Sequence, residues 1–189
     1  MKLSANSGAS MAMTQKVLLT GRPGCGKTTL IRRVVTKLAG RIGGFYTEEM
    51  READVRVGFK LVTLDGKEAV FARVDFKTPV RVGKYGLHLF ALENIGVQAI
   101  RNALSLRRLI VIDEIGPMEI RSRIFRDTVI EAFDSRVAVL GTISARPLPF
   151  IDIIKSRPGV QLVEIRPSNR DRLVSELSDQ FKNETDTDA

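Results

Sequence analysis

Short apolar runs alternate along this chain with longer stretches whose apolar positions recur every three or four residues, the pattern of strands feeding amphipathic helices. Val17-Leu18-Leu19 is a run of the first kind, and Leu30, Ile31, Val34, Val35 and Leu38 follow it at helical spacing. A turn at Gly40 to Gly44 leads to a short predicted strand from Phe45 to Glu48. Val55 to Leu64 and Glu68 to Val74 read as two strands joined through Asp65-Gly66, a dipeptide that favours tight hairpins because it tolerates positive φ. Glu93 to Leu106 reads as a helix with Val97, Ile100 and Leu104 on one face. Leu109-Ile110-Val111-Ile112 is continuously apolar, as a central parallel strand covered on both faces must be. Ile120 to Phe133 is a second amphipathic helix through Ile124, Phe125, Val129 and Phe133, and Val137 to Leu140 is a strand. Val160 to Ile165 is the last strand. It leads to a helix carrying Leu173, Val174, Leu177 and Phe181, with Ser168 or Asn169 as its expected cap.

This order predicts an α/β fold: a mostly parallel sheet between helix layers, interrupted by one antiparallel hairpin that forms an edge or flap. At 189 residues the chain suits a single domain over 16–182. Residues 1–15, rich in Ser, Ala and Met, are expected to be a disordered leader, and 183–189 a frayed tail. The 43% hydrophobic and 28% charged residues are ordinary for a soluble protein. No apolar run approaches membrane-spanning length, and the N-terminus lacks a signal-peptide core. The single cysteine, Cys25, excludes an intrachain disulfide and suits a reducing compartment, so the cytoplasm is expected.

Candidate chemistry begins where the first strand ends. Gly21-Arg22-Pro23-Gly24-Cys25-Gly26-Lys27-Thr28 spells G-x-x-x-x-G-K-T between strand and helix, the setting in which this Walker A motif, or P-loop, has a mechanism. Its glycines let backbone N–H groups wrap a phosphate, and the helix N-terminus adds positive potential. Lys27 is expected at the β- and γ-phosphates, the Thr28 hydroxyl on Mg²⁺, and Thr29 at the α-phosphate. Gly21 to Thr29 is therefore the predicted nucleotide cradle. A thiol at Cys25 would simply face the cavity.

The apolar run into Asp113 makes a Walker B strand, with the aspartate at a strand end where ligands of α/β sheets bind. Asp113 is the second predicted Mg²⁺ contact, opposite Thr28. Glu114 beside it is placed to orient and deprotonate a water, which favours hydrolysis over transfer to an acceptor. Transition-state charge also calls for a cation beyond Lys27. Arg146 is the first candidate, and Arg166 and Arg170, flanking a Pro-Ser-Asn turn that reads as a lid, come next. Lys84 and Tyr85 read equally as surface residues or as nucleotide contacts. His88, the only histidine, reads as a strand-end residue. The formal charge of +8, with arginine twice as frequent as lysine, fits a polyphosphate ligand. The basic residues are scattered, so nucleic acid is a secondary possibility.

Taken together these motifs resemble the small nucleoside-triphosphatase family of archaea, thermophilic bacteria and vertebrates. The resemblance rests on Gly44-Phe45-Tyr46-Thr47-Glu48-Glu49 with Arg51-Glu52, on Arg56 with Gly58-Phe59, and on Val82 to Gly86. It continues through Val111-Ile112-Asp113-Glu114-Ile115-Gly116 with Met118-Glu119, Gly141-Thr142-Ile143 and Asn169-Arg170. It implies a RecA-like three-layer fold and slow, Mg²⁺-dependent hydrolysis of several nucleoside triphosphates to diphosphate and phosphate. It also implies a nucleotide site formed by Gly21 to Thr29 with Val111 to Gly116. The rival readings are a P-loop kinase for a nucleoside or polynucleotide, with 166–170 as its lid, and a nucleotide-gated nucleic-acid-binding switch. Oligomeric state is not legible.

Overall fold

The computed structural model describes residues 14–38 and 40–186. One sheet organises them. β1 (Lys16–Thr20), β2 (Ile42–Glu52), β3 (Val55–Thr63), β4 (Glu68–Arg73), β5 (Arg81–Val82), β6 (Tyr85–Leu87), β7 (Leu109–Ile115), β8 (Val139–Ile143) and β9 (Val160–Glu164) lie in the order β5-β6-β4-β3-β2-β7-β8-β1-β9. From β2 to β9 every neighbouring pair is parallel. From β2 outwards through β3, β4, β6 and β5 every pair is antiparallel. The expected hairpin is thus part of a larger antiparallel extension hung on β2.

Alternation along the parallel strands builds two cores. Val17 and Leu19 of β1 with Val111 of β7 and Leu140 of β8 meet Leu30, Ile31 and Val34 of α1 (Lys27–Lys37) on one face. Leu173, Val174, Leu177 and Phe181 of the last helix, Arg170–Asp186, close the same core. Leu18, Ile110 and Ile112 point to the opposite face, where Phe125 and Val129 of another helix, Arg123–Asp134, pack beside Phe45 and Ile100. Both faces of the central strands are dry, as expected from the apolar runs, and the three-layer α/β fold that the resemblance implied is present.

The helical segment on that second face begins as one turn, α2 (Leu89–Ala91), passes through a π-helical stretch, Leu92–Val97, and finishes as α3 (Gln98–Ser105). Gly96 lies in the π stretch, and a Cβ there would stand 3.2 Å from the Phe45 ring. The expected helix from Ile120 splits into a 3₁₀ turn, Glu119–Arg121, and α4 (Arg123–Asp134). The break falls at Ser122, whose hydroxyl accepts the Phe125 N–H at 3.0 Å as an N-cap. α5 (Pro149–Lys155) was not foreseen, although Pro149 at its start and Ile151 and Ile154 facing the core are its signal. The last helix, α6 (Arg170–Asp186), runs through part of the expected tail, while 1–13 and 187–189 lie outside the described residues. Asn169 stands at the N-cap position of α6, its carbonyl accepting the Leu173 N–H at 3.0 Å. Its side chain accepts the Arg166 N–H at 2.8 Å and donates to the Glu164 carbonyl at 2.9 Å, tying the turn back to β9.

The largest departure is β2, which begins at Ile42 and absorbs the expected turn at Gly40 to Gly44. Gly43 and Gly44 are glycines because β7 and α3 approach too closely for a side chain. A Cβ on Gly44, whose φ is +110°, would fall 2.0 Å from the Val111 carbonyl oxygen, and one on Gly43 would fall 2.9 Å from Cβ of Ala103. The hairpin that reaches the phosphate loop is also not the one marked by Asp65-Gly66. It is the β2–β3 turn at Ala53 and Asp54, with φ of 45° and 63° and no glycine. Two successive positive φ values give the strand-matching twist of a tight hairpin.

Candidate active site

Gly21 to Gly26 links the end of β1 to the start of α1. Its glycines carry the bend: Gly24 and Gly26 have φ of 78° and 94°, a region open cheaply only to glycine. Lys27 folds back so that Nζ donates to the Gly21 carbonyl at 3.3 Å. A cavity of about 590 Å³ opens above this loop, lined by Pro23, Gly24, Gly26, Lys27, Thr28, Thr29 and Arg32 on one side. Thr47, Glu48 and Glu49 of β2, Arg56 and Phe59 of β3, and Glu114 complete it. The loop and the Asp113-Glu114 strand end, 86 residues apart in sequence, therefore meet in space.

Asp113 is buried at the end of β7. Its Oδ1 accepts the Thr142 hydroxyl of β8, while Oδ2 is buried without a hydrogen-bond partner. Burial pushes its pKa up, and the Thr142 and Thr28 hydroxyls, the Lys27 charge and the Thr47 backbone pull the other way. A buried oxygen lacking a donor is costly unless a cation or donor arrives. With the Thr28 hydroxyl nearby, this pair of hard oxygen donors suits Mg²⁺. Among the described residues no group of three or more His, Cys, Asp or Glu side chains is arranged to hold a metal by itself. An ion at Thr28 and Asp113 would take its other ligands from water and phosphate.

Glu114 lines the cavity, and burial raises its pKa; Asp113 pushes it further up and Lys27 holds it back. Behind it lies Glu119, buried, with a pKa raised to about 8 by desolvation and by the Glu114 and Asp113 charges. Gly116 separates the two glutamates: a Cβ there would stand 2.9 Å from Glu119 Oε2 and 3.3 Å from Glu114 Cδ.

Several expected residues sit elsewhere. Val111, Ile112 and Ile115 are wholly buried in the two cores. They position Asp113 and Glu114 and cannot touch a nucleotide. Gly116 is a spacer between carboxyl groups. Cys25 packs against the α1–α6 core rather than facing the cavity, because a loop bent at Gly24 and Gly26 turns it towards Gly21. Arg22 is exposed and lies outside the cavity lining.

Arg146 is not brought to the phosphate loop. β8 runs on to Ile143, and the chain then turns, with the Arg146 N–H donating to Ser144 Oγ at 3.2 Å, towards α5. Arg146 there lines a separate cavity with Arg121, Arg126 and Phe150. Of the lid candidates, Arg166 pairs with Glu164 at 2.6 Å in solvent. Arg170 does reach the loop: a Cβ on Gly26 would stand 3.1 Å from its Cδ and 3.2 Å from Nη1. Its Nε is buried without a hydrogen-bond partner, with Asp171 Oδ1 3.9 Å away.

Tyr85 is buried, and its hydroxyl accepts from Arg56 Nε at 3.0 Å, while Lys84 Nζ lies 5.5 Å from the Tyr85 ring centre. His88 follows β6, between the rings of Phe76 and Phe90. Arg56 entered the sequence reading only as part of the family resemblance. The signal that would have placed it is the pairing of β2 with β3, which sets Arg51 opposite Arg56.

Comparison with known proteins shows the family and the fold. A family model described as NTPase matches residues 16–178. A nucleoside-triphosphatase THEP1 from Thermotoga maritima is 49% identical over 162 residues, 86% of this chain and 92% of the relative. That from Thermotoga petrophila is 51% identical over 162 residues, covering 86% and 90%. The crystal structure of THEP1 from Aquifex aeolicus superposes with a TM-score of 0.81 at 37% identity, covering 86% of this chain and 96% of that one. The solution structure of a human cancer-related nucleoside triphosphatase gives 0.75 at 33% identity, covering 90% and 98%. With the phosphate loop, the Asp113-Glu114 strand end and one cavity joining them, the chain belongs to the NTPase family.

Proposed function

We propose that the protein is a nucleoside-triphosphate hydrolase that releases diphosphate and phosphate, depends on Mg²⁺, accepts several bases and turns over slowly. The observation that carries this reading is the single cavity lined by Lys27, Thr28 and Glu114 above the buried Asp113. The relatives share the name nucleoside-triphosphatase, which specifies no base. No helix among the described residues is long and apolar enough to cross a membrane. The proposal places the enzyme in the cytoplasm on its single, unpaired cysteine.

In this reading the loop N–H groups and the α1 N-terminus hold the polyphosphate, and the Lys27 ammonium neutralises charge between its last two phosphates. Thr28 and Asp113 would hold Mg²⁺, which offsets charge on the phosphate oxygens. Glu114 accepts a proton from the attacking water. Burial makes it a stronger base than a solvated glutamate, and the Lys27 charge pulls the other way. The Thr142 hydrogen bond fixes the Asp113 carboxylate, leaving Oδ2 available.

Phosphate release across a panel of triphosphates, with and without Mg²⁺ and candidate acceptors, tests the reading. Lys27→Ala should fold and lose hydrolysis. Glu114→Gln should still bind ATP while kcat falls by roughly two to four orders of magnitude. Near-normal turnover in either variant, or transfer of phosphate to an acceptor in place of release, would sink the proposal.

A further inference from the structure

The transition state of phosphoryl transfer spreads negative charge over oxygens that one lysine and one divalent ion do not fully cover. None of the three arginines first expected to meet that need lines the cavity. Arg146 lines another cavity, Arg166 is paired in solvent, and Arg170 lies against Gly26 on the loop itself. Besides Lys27, the cations lining the cavity are Arg32 and Arg56.

These two are held differently. Arg32 projects from α1, pairs with Glu48 at 2.9 Å and lies 5.2 Å from the Tyr46 ring centre, with no side-chain hydroxyl among the described residues fixing its Nε. Arg56 stands on the opposite, antiparallel wall on an aromatic support: Cζ lies 5.2 Å from the Phe59 ring centre and 6.0 Å from that of Tyr85. The two rings meet edge-on at 5.3 Å, and both residues pack into the core beneath β3 and β4. Nε donates to Tyr85 Oη at 3.0 Å and Nη1 to Glu49 Oε1 at 2.8 Å. Glu49 also serves Arg51, at 3.0 Å, so one carboxylate is shared between two guanidinium groups. Nη2 of Arg56 has no partner among the described residues. The guanidinium plane is therefore fixed by its other two nitrogens, while one nitrogen remains ready to donate. A pre-set fork is what recognition of a phosphoryl group with little ordering cost requires.

We propose that Arg56 is the catalytic cation of this site, an arginine finger supplied in cis by the β2–β3 hairpin, contacting the transferred phosphoryl group from the wall opposite Lys27. The assignment rests on the hydrolase reading above and names the residue that reading leaves open. Tyr85 and Phe59 are positioning residues, holding the guanidinium in place through the hydroxyl and the ring face.

Three measurements on purified protein test it: steady-state phosphate release, ADP affinity, and the tightening of Mg²⁺–ADP binding by fluoroaluminate, which mimics the transferred group. In the wild type fluoroaluminate should tighten ADP binding. Arg56→Ala should lower kcat roughly a hundredfold or more, keep ADP affinity within about threefold, and lose the tightening. Added guanidinium should restore part of its turnover. Tyr85→Phe should cost a smaller factor, about three- to tenfold, because it loosens the fork without removing it.

Wild-type kcat in Arg56→Ala, or a lowered kcat with the tightening intact, overturns the assignment. If Arg56→Ala does not fold, Arg56→Lys decides. It keeps the charge over the rings and should still lose the tightening and at least about tenfold in kcat; wild-type values for both would overturn the finger role. A wild type that releases no phosphate would sink the hydrolase reading and this assignment together. An active wild type with an indifferent Arg56→Ala would sink this assignment alone.

Discussion

Glu119→Gln isolates the electrostatic cost of gathering three carboxyl groups at the end of β7. Glu119 is only 6% exposed, and burial with the nearby Glu114 and Asp113 charges raises its pKa to about 8. Its ordinary value is 4.5, so near neutrality the folded protein holds a proton there that the unfolded chain has released. Stability must then fall as pH rises. The stabilising contribution of the protonated carboxyl is complete below about pH 4.5. It is lost at about 1.4 kcal/mol per unit up to about pH 8, where the folded protein also releases the proton. Between pH 5 and pH 7 the wild type should thus lose about 2–3 kcal/mol relative to Glu119→Gln, which cannot titrate but still offers an acceptor oxygen. The assay is urea unfolding followed by circular dichroism at unit pH steps from 5 to 9, without nucleotide or Mg²⁺. Groups remote from this cluster titrate equally in both proteins, so the difference curve reports Glu119 together with its coupling to Glu114 and Asp113. Curves that run parallel from pH 5 to 8 would refute the reasoning, because they would mean that Glu119 is solvated or ionised in the folded state.

Three further variants probe the frame around the site. Gly44→Ala should cost more than about 4 kcal/mol or abolish folding, measured by urea titration, because its Cβ would fall 2.0 Å from the Val111 carbonyl oxygen at a φ of +110°. Ala53→Asn combined with Asp54→Gly should raise Tm by about 2–4 °C, since the native turn already has positive φ at both positions and these residues accept it more cheaply. Arg170→Ala should weaken ATP binding by about tenfold with kcat nearly unchanged, read by titration and steady-state kinetics, because it removes the cation lying against Gly26 without touching Glu114.

What was legible in the sequence follows from locality. The change from a continuous apolar run to helical spacing across Gly21–Thr28 identifies strand, loop and helix within one window, and the run into Asp113 does the same for the metal-side carboxylate. The misreadings involve partners distant in the chain. Gly43 and Gly44 look like a turn until β7 and α3 are known to press against them. The Ala53-Asp54 turn carries no glycine, so the hairpin that forms the far wall of the cavity was masked by the stronger Asp65-Gly66 signal. Arg146 follows a strand end, as a finger should. The direction the chain takes after Ser144 is set by the docking of α5, whose seven residues are too few to show a clear period.

The geometry of the cavity depends on β2 joining the parallel and antiparallel halves of the one sheet. Its first residues pair in parallel with β7, ending at Phe45 opposite Ile112, one residue before Asp113. Its later residues pair antiparallel with β3 and place Thr47, Glu48 and Glu49 on the cavity wall. The far wall and the carboxylates are therefore linked through a single unbroken strand, and β7 sets their relative position. A slip of one residue in the β2–β7 register would turn Phe45 out of the core and exchange the faces presented by Glu48 and Glu49. Gly44 prevents that slip on one side, because only glycine fits against Val111. Phe45 prevents it on the other, wedged against Gly96 and edge-on to Phe125 at 6.3 Å. The Gly44-Phe45 pair is thus structural in a specific sense. It holds the wall that carries Arg56 in register with the strand that carries Asp113 and Glu114, so the phosphate loop faces a preformed cleft without a second domain having to close over it.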